Sequence, residues 1–336
     1  MIAVVKQSAT EEQISHLIRW IEKRGCKTDV SRGASDTIVG IIGDTTRIDP
    51  FLLESMSIIE RVQTVTEPFK MANRKFHPQD TVIDCGHGIQ IGGDNFQVMA
   101  GPSSVEGDNI FEIARIAKEA GATILRGNAF KASNSPYAFQ GLGFKGVELL
   151  VAAGIENQMP VVTEILDVRQ VEDFVEKGVS IIQVGSKNAL NFALLKELGK
   201  TDTPILLKRN PGSTIDEFLL AAEYVMSEGN DQVILCERGI RTYEDRVRVS
   251  FDVNIVSVLK DLTHLPVVVD AANAVGYTDY VSPCAYAATV AGANGLMLEV
   301  HPDRANAREH GGQALSPLAY KDTMDRIRRI RELIAD

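Results

Sequence analysis

The sequence predicts a (β/α)8 TIM barrel preceded by a small ferredoxin-like α+β domain, and three observations carry the prediction. The first 66 residues show a β-α-β-β-α-β pattern, and from Phe96 onward eight short apolar runs alternate with amphipathic helical stretches. Between the two lies Glu67 to Asp80, a polar stretch with two prolines and no apolar period.

Residues 2 to 5 (IAVV) read as a strand, and Ser8-Ala9-Thr10-Glu11-Glu12 offers an N-cap and first-turn acids for a helix that runs to about Arg24 and stops at Gly25. Strands over Lys27 to Ser31 and Thr37 to Ile42 flank Arg32-Gly33. A short helix from Asp49 to Met56 has Pro50 in its first turn, and a strand over Ile58 to Val65 completes the unit. Residues 1–66 are therefore read as one domain, 67–80 as a linker, and 81–336 as the barrel with an N-terminal hairpin, Thr81 to Ile91, that turns at Gly86-His87-Gly88.

The eight runs are FQVMAG ending at Gly101, TILRG at Gly127, PVVTE at Glu164, SIIQVG at Gly185, PILLKR at Arg209, QVILCE at Glu237, PVVVD at Asp270 and GLMLEV at Val300. Continuous apolar strands of this kind, alternating with helices such as FEIARIAKEAG and TIDEFLLAAEYVMSEG, require a parallel sheet covered on its outer face. Eight repeats in about 240 residues match a barrel, and no G-x-G-x-x-G follows any strand to favour an open doubly wound sheet.

The chain of 336 residues carries 35 basic and 45 acidic side chains, a net charge of −10, which gives it no general attraction to nucleic acid or anionic membrane. Its four cysteines show neither CxxC nor zinc spacing, and the N-terminus has no basic region followed by an apolar run. A reducing cytoplasmic setting is expected. No apolar run approaches the roughly 18 residues needed to span a bilayer.

A barrel of this kind places its active site at the C-terminal strand ends. The residues there are Ser103 and Ser104, then Arg126 and Lys131, Glu164, Lys187, Lys208 and Arg209, Glu237 with Arg238 and Arg241, Asp270 and Asn273, and finally Glu299 and His301. The loop from Thr123 to Gly141 adds Phe130 and Tyr137 as candidate pocket walls. Five or more cations converge on one mouth of an acidic chain, with Glu164, Glu237 and Asp270 expected to pair with one or two of them. The remaining cations suit a small phosphate ester that also bears a carboxylate, since Arg offers a planar fork and Lys a mobile point charge.

AGPSSVEG (100–107), LRGNAFKASNSPYAFQGLG (125–143), IIQVGSKN (181–188), LLKRNPGSTIDEFLLAAEYV (206–225), ILCERGIRTYE (234–244) and EVHPD (299–303) closely resemble the type I beta 3-deoxy-D-arabino-heptulosonate 7-phosphate (DAHP) synthases. Those enzymes condense phosphoenolpyruvate with erythrose 4-phosphate at the entry to aromatic biosynthesis, the shikimate pathway. The resemblance implies that Arg126 and Lys131 hold the phosphoenolpyruvate carboxylate, with Lys131 also delivering a proton. It assigns the phosphate to Lys187, Lys208 and Arg238, although the family usually has Arg at the position of Lys187. Glu164 lies near where water attacks C2. Asn273 and Asp270 complete the catalytic set, and Ser135 joins the substrate-binding loop.

The family's divalent metal is held by Cys, His, Glu and Asp, and the matching positions are Ser103, Asn273, Glu299 and His310, of which only Glu299 is retained. No tight transition-metal cofactor is therefore expected. A weak divalent site built from Glu299, His301 and His310 is the remaining expectation for a metal. The family's K-P-R-T-S loop, whose Arg and Thr help hold the acceptor phosphate, reads Lys131-Ala132-Ser133-Asn134-Ser135. Loss of one charge-assisted phosphate contact costs about 1.5 to 3 kcal/mol, so the acceptor is expected to be a different or an unphosphorylated carbonyl compound. Two alternatives stay open: a catalytically silent paralogue acting as sensor or partner subunit, and an ordinary metal-dependent synthase. By resemblance alone, a homotetramer and an aromatic amino acid effector on the small domain are expected.

Overall fold

The computed structural model describes residues 1–33, 37–63 and 67–335, which form two compact units: Met1–Asp80 with Asp261–His264, and Thr81–Lys260 with Leu265 onward. In the small unit, β1 (Ile2–Val5), α1 (Glu11–Glu22), β2 (Lys27–Arg32), β3 (Thr37–Ile42), α2 (Pro50–Glu54) and β4 (Ile59–Gln63) follow the expected order. The strands pair antiparallel as β2-β3-β1-β4, the ferredoxin-like arrangement. Helix α1 starts on a reciprocal cap between Thr10 and Gln13, and its Ile14, Leu17 and Ile21 pack over Ala3, Val5, Val39 and Ile41. Because side chains alternate along a strand, Ile2 and Val4 of β1 point to the opposite face. The last strand begins at Ile59, and the expected continuation through Val65 lies outside the described residues, as does the proposed boundary at residue 66.

Residues 67–80 were expected as a linker, yet Phe69, Ala72 and Phe76 are buried. The Phe76 ring packs on Ile2, Val4 and Ile38, covering the sheet face that α1 leaves open. Gly40 makes room for it, since a Cβ there would fall 2.3 Å from Phe76 Cδ1. Isolated aromatics in a polar stretch carry no period, which is why this docking is not visible as a pattern.

The larger unit opens with the expected hairpin, β5 (Ile83–Asp84) and β6 (Gln90–Ile91), turning through Gly86, His87 and Gly88 at positive φ. Eight parallel strands then close into a barrel: β7 (Gln97–Gly101), β8 (Ile124–Arg126), β9 (Val161–Ile165), β10 (Ile181–Val184), β11 (Ile205–Lys208), β12 (Val233–Glu237), β13 (Val267–Asp270) and β14 (Gly295–Glu299). Closure is made by β14 pairing with β7 from Gly295↔Gln97 to Glu299↔Gly101. The connecting helices are α3 (Asn109–Glu119), α4 (Phe144–Asn157), α5 (Val171–Glu176), α6 (Phe192–Leu198), α7 (Ile215–Met226), α8 (Asn254–Leu262), α9 (Ala271–Val275), α10 (Thr278–Val290) and α11 (Pro317–Ile334).

Inside the barrel, Met99, Ile124, Val162, Ile181, Leu206, Ile234, Val268 and Met297 supply one side chain from each strand, and Ile83, Cys85 and Ile91 of the hairpin pack against them. Ile124 and Ile181 begin their strands, and Val162, Leu206, Ile234 and Val268 lie one residue in, so the hairpin plugs the N-terminal end. The polar side chains are thereby left to the opposite end. Among the described residues no helix is long and apolar enough to cross a membrane.

Candidate active site

At the C-terminal strand ends the barrel opens into a cavity of about 980 Å³. Its cations fall into two groups. Three are held by carboxylates: Arg126 Nη1 lies 2.9 Å from Glu299 Oε1, Lys131 Nζ 2.8 Å from Glu309 Oε2, and Lys208 Nζ 2.5 Å from Asp270 Oδ2. Lys187, Arg238, Arg241 and Arg248 also line the cavity, and among the described residues none has a carboxylate within 4.0 Å. Burial pulls the Arg238 guanidinium below the ordinary arginine value, with Asp270 acting against that shift. An anion entering this arc therefore meets positive charge that no protein group has neutralised.

As expected, two of the strand-end cations pair with these carboxylates, Lys208 with Asp270 and Arg209 with Glu237, whereas among the described residues Glu164 pairs with none. Glu237 binds Arg209, whose guanidinium also lies 3.5 Å from Asp252 and donates to the Ser213 carbonyl, so Arg209 points away from the mouth. Glu164 lines the cavity without a cation. Its Oε2 accepts from Asn128 Nδ2 at 3.0 Å and from Gln183 Nε2 at 3.1 Å. The β9/β10 register sets Gln183 beside Glu164, and Gly185 leaves the space the carboxylate occupies, since a Cβ there would fall 1.9 Å from Glu164 Oε1. A carboxylate fixed by two amides and facing a cavity is placed to accept a proton from water.

Asp270 ends β13 and caps α9, its Oδ1 accepting from the Asn273 backbone N–H at 3.0 Å. That cap turns the Asn273 amide back between two carboxylates: Nδ2 lies 2.9 Å from Asp270 Oδ2 and 3.4 Å from Glu299 Oε1. Burial would raise the Asp270 carboxyl, but Lys208, Arg126 and these hydrogen bonds overcome it and hold the pKa at about 2. Asp270 itself is fully buried behind Lys208 and Asn273, so it acts on the mouth through them.

Ser103 Oγ lies 3.0 Å from His310 Nδ1 and accepts from Lys131 Nζ at 3.3 Å. Burial lowers the pKa of His310, whose backbone is in the left-handed region at φ 56°. Lys187 is exposed and donates to the Ala132 carbonyl and to Asn134 Oδ1, tying the loop after β10 to the loop after β8. Ser135 lines the outer cavity and uses its hydroxyl to accept from the Tyr137 N–H. Neither expected aromatic wall is present: Phe130 packs on Phe144 and Phe174, and Tyr137 is 97% exposed. His301 lies outside the cavity lining, its Nε2 3.8 Å from Glu106 Oε2. Glu309, Asn128, Gln183, Gly185 and Arg248 were not anticipated. Of these only Gln183 had a sequence signal, a polar residue inside the buried run IIQV.

The resemblance implies a divalent metal, and the residues at its positions do not fit one. Ser103 and Asn273 replace a thiolate and an imidazole, the Asn273 amide presents its N–H2 to the carboxylates, and Arg126 already occupies Glu299 Oε1. The remaining Glu299 oxygen, Oε2, is buried without a hydrogen-bond partner. Among the described residues no group of three or more His, Cys, Asp or Glu side chains converges as a metal site would require.

A closed eight-stranded barrel with an anion-binding mouth and a fixed carboxylate defines a barrel enzyme that acts on a small, multiply charged acid. Residues 74–332 match the DAHP synthetase I family, and residues 1–67 match the DAHP synthase ferredoxin-like domain. The chain belongs to the DAHP synthetase I family and is a DAHP synthase-like aldolase. A phospho-2-dehydro-3-deoxyheptonate aldolase of Thermotoga maritima is 41% identical over 338 residues, covering 99% of this chain and 98% of that protein. A crystal structure of phospho-2-dehydro-3-deoxyheptonate aldolase (DAHP synthase) from the same organism aligns with a TM-score of 0.78 at 40% identity, over 99% of this chain and 97% of that one. A 2-dehydro-3-deoxyphosphooctonate aldolase of Syntrophobacter fumaroxidans is 28% identical over 268 residues, covering 74% of this chain and 92% of that protein.

Proposed function

We propose that this chain condenses phosphoenolpyruvate with a small aldehyde, without a resident transition metal and with an acceptor other than erythrose 4-phosphate. The observation that carries the reading is the arc of Lys187, Arg238, Arg241 and Arg248, cations that have no carboxylate partner among the described residues, in a chain of net charge −10. A phosphate in that arc leaves the carboxylate of the same small molecule to Arg126 and Lys131. C3 of the enol then forms a bond to the aldehyde carbon, and the aldehyde oxygen takes a proton from Lys131. Water adds at C2, giving one proton to Glu164, and cleavage of the bond from C2 to the phosphorus-bearing oxygen releases inorganic phosphate, which takes the proton of the new C2 hydroxyl as the 2-keto acid forms. Positioning and charge neutralisation do most of this work.

The metal-free part is supported by the donor set at Ser103, Asn273, Glu299 and His310, and the altered acceptor by Ser133. The test is phosphate release from phosphoenolpyruvate with a panel of aldehydes. Turnover that Lys131→Ala abolishes is expected. Phosphoenolpyruvate binding without phosphate release on any aldehyde would instead favour a silent paralogue. Activity is expected to survive EDTA, and a chelator-sensitive rate restored by Mn²⁺ rejects the metal-free reading. Restoring Ser103→Cys, Asn273→His and His310→Asp together is expected to create metal affinity. By the family resemblance we also propose a homotetramer and an aromatic amino acid effector on residues 1–66, checked by light scattering and calorimetry.

A further inference from the structure

We infer that Ser103, His310, Ser133 and Glu309 are positioning residues that hold the Lys131 ammonium with one side open to the acceptor's carbonyl oxygen, so that a fixed cation of the chain itself polarises that carbonyl. This rests on the proposed condensation and adds how its proton donor is held. Ser103, Ser133 and His310 stand at three of the positions where the chain departs from the family pattern, and their contacts tie all three departures to one lysine. Ser103 follows β7, Lys131 and Ser133 follow β8, and Glu309 and His310 follow β14. These three strands are consecutive in the closed barrel, so their loops meet over one sector of the mouth.

An ammonium donates and never accepts, so the oxygens around it must accept. Lys131 Nζ forms an ion pair with Glu309 Oε2 at 2.8 Å and donates to Ser103 Oγ at 3.3 Å. Because Ser103 Oγ gives a lone pair to the lysine, its single proton is left for His310 Nδ1, 3.0 Å away, and the imidazole hydrogen goes to Nε2. Glu309 is steadied from behind: its Oε1 lies 3.1 Å from Ser133 Oγ, a hydroxyl shared with the Phe139 carbonyl at 2.9 Å. Each arm thus has an inner residue on the lysine, Ser103 or Glu309, and an outer one, His310 or Ser133, that touches only the inner. Lys131 is buried, and the side left open lines the cavity. A lysine stem is rich in rotamers, and holding it in advance removes that ordering cost from the reaction. As C3 of the enol adds, the carbonyl π pair moves to oxygen and takes a proton from Lys131, and the amine so formed recovers a proton from solvent once the product leaves.

The test measures phosphate release with the best aldehyde of the panel at saturating concentrations, with phosphoenolpyruvate affinity and stoichiometry followed by calorimetry. Ser103→Ala and Glu309→Ala are each expected to lower kcat by about 30-fold, and the outer changes His310→Leu and Ser133→Ala by about fivefold. An outer residue acts only through its inner partner, so His310→Leu added to Ser103→Ala, or Ser133→Ala added to Glu309→Ala, is expected to cost less than about twofold more. His310→Gln, which keeps an acceptor for the Ser103 hydroxyl, is expected to recover most of what His310→Leu loses. Throughout, phosphoenolpyruvate binds at undiminished stoichiometry, which a merely unfolding variant would not show. Either inner variant turning over within about threefold of the parent overturns the inference while leaving the condensation standing. So does an outer change that costs its full factor after the inner residue is gone, or a His310→Gln no better than His310→Leu. Absence of phosphate release by the unaltered protein with every aldehyde, with phosphoenolpyruvate still bound, overturns the condensation itself and this inference with it.

Discussion

Gly185→Ala is expected to disable Glu164 without touching the anion site. The added Cβ would fall 1.9 Å from Oε1, 2.6 Å from Cδ and 3.2 Å from Oε2 of Glu164, so the carboxylate must retreat by at least about 1 Å. That retreat breaks the hydrogen bonds from Asn128 and Gln183, which hold the same carboxylate at 3.0 and 3.1 Å. Gly185 is not at positive φ, so the backbone accepts alanine and the effect is confined to the collision. Misplacing a reacting group by 1 Å costs about 100-fold in rate, or roughly 2.7 kcal/mol of barrier. The assay is phosphate release under saturating phosphoenolpyruvate and acceptor, with phosphoenolpyruvate affinity followed by calorimetry. A drop of about 100-fold in kcat with affinity within about threefold is expected. Glu164→Gln, which keeps an acceptor for the two amides but cannot take the proton, should fall at least as far. A Gly185→Ala enzyme turning over within about threefold of the parent would show that Glu164 does not act on water.

Three further outcomes test the scaffold. Lys208→Met strands the Asp270 carboxylate, which is fully buried, and is expected to destabilise the protein by about 3–5 kcal/mol in urea unfolding; adding Asp270→Asn, which keeps the α9 cap, should recover most of the loss. Phe76→Ala removes the side chain packed on Ile2, Val4 and Ile38 and should cost about 3–5 kcal/mol, read as loss of hydrogen-exchange protection in β1 and β3 rather than in the barrel strands. His264 is buried with Nε2 2.8 Å from the Met71 carbonyl, and burial pulls its pKa down to about 4 from the ordinary 6.5. Its folded pKa lies below the unfolded one, so this stability is fully present above pH 6.5 and declines as pH falls toward 4, by about 3 kcal/mol across the window. His264→Gln should flatten the urea midpoint between pH 7 and pH 5, and an unchanged slope would assign the acid sensitivity elsewhere.

The barrel was legible because each strand is buried on both faces and so reads as an unbroken apolar run; the expected runs agree with the observed strands to within a residue or two. The strand-end rule then brought Arg126, Lys131, Glu164, Lys208 and Arg238 to one cavity, because position at the end of a barrel strand is a local property of the sequence. Charge pairing was not legible. Lys131 meets Glu309 and Arg126 meets Glu299 only through barrel closure and a loop after the last strand, contacts that no local spacing encodes. The hydrogen bond of Gln183 to Glu164 depends on strand register, which becomes definite only when neighbouring strands are known. Phe76 escaped for the same reason, as its partners Ile2, Val4 and Ile38 lie in distant segments.

The serine at position 103 has a consequence for chemical durability. All four cysteines are buried, and neither the mouth nor its lining contains a sulfur atom. Thiolates are where peroxide begins its oxidation ladder and where stray copper or cadmium lodges. A catalytic rim built from hydroxyl, amide, imidazole, carboxylate and guanidinium groups offers neither foothold, so oxidants find no thiolate to attack at the mouth of this aldolase.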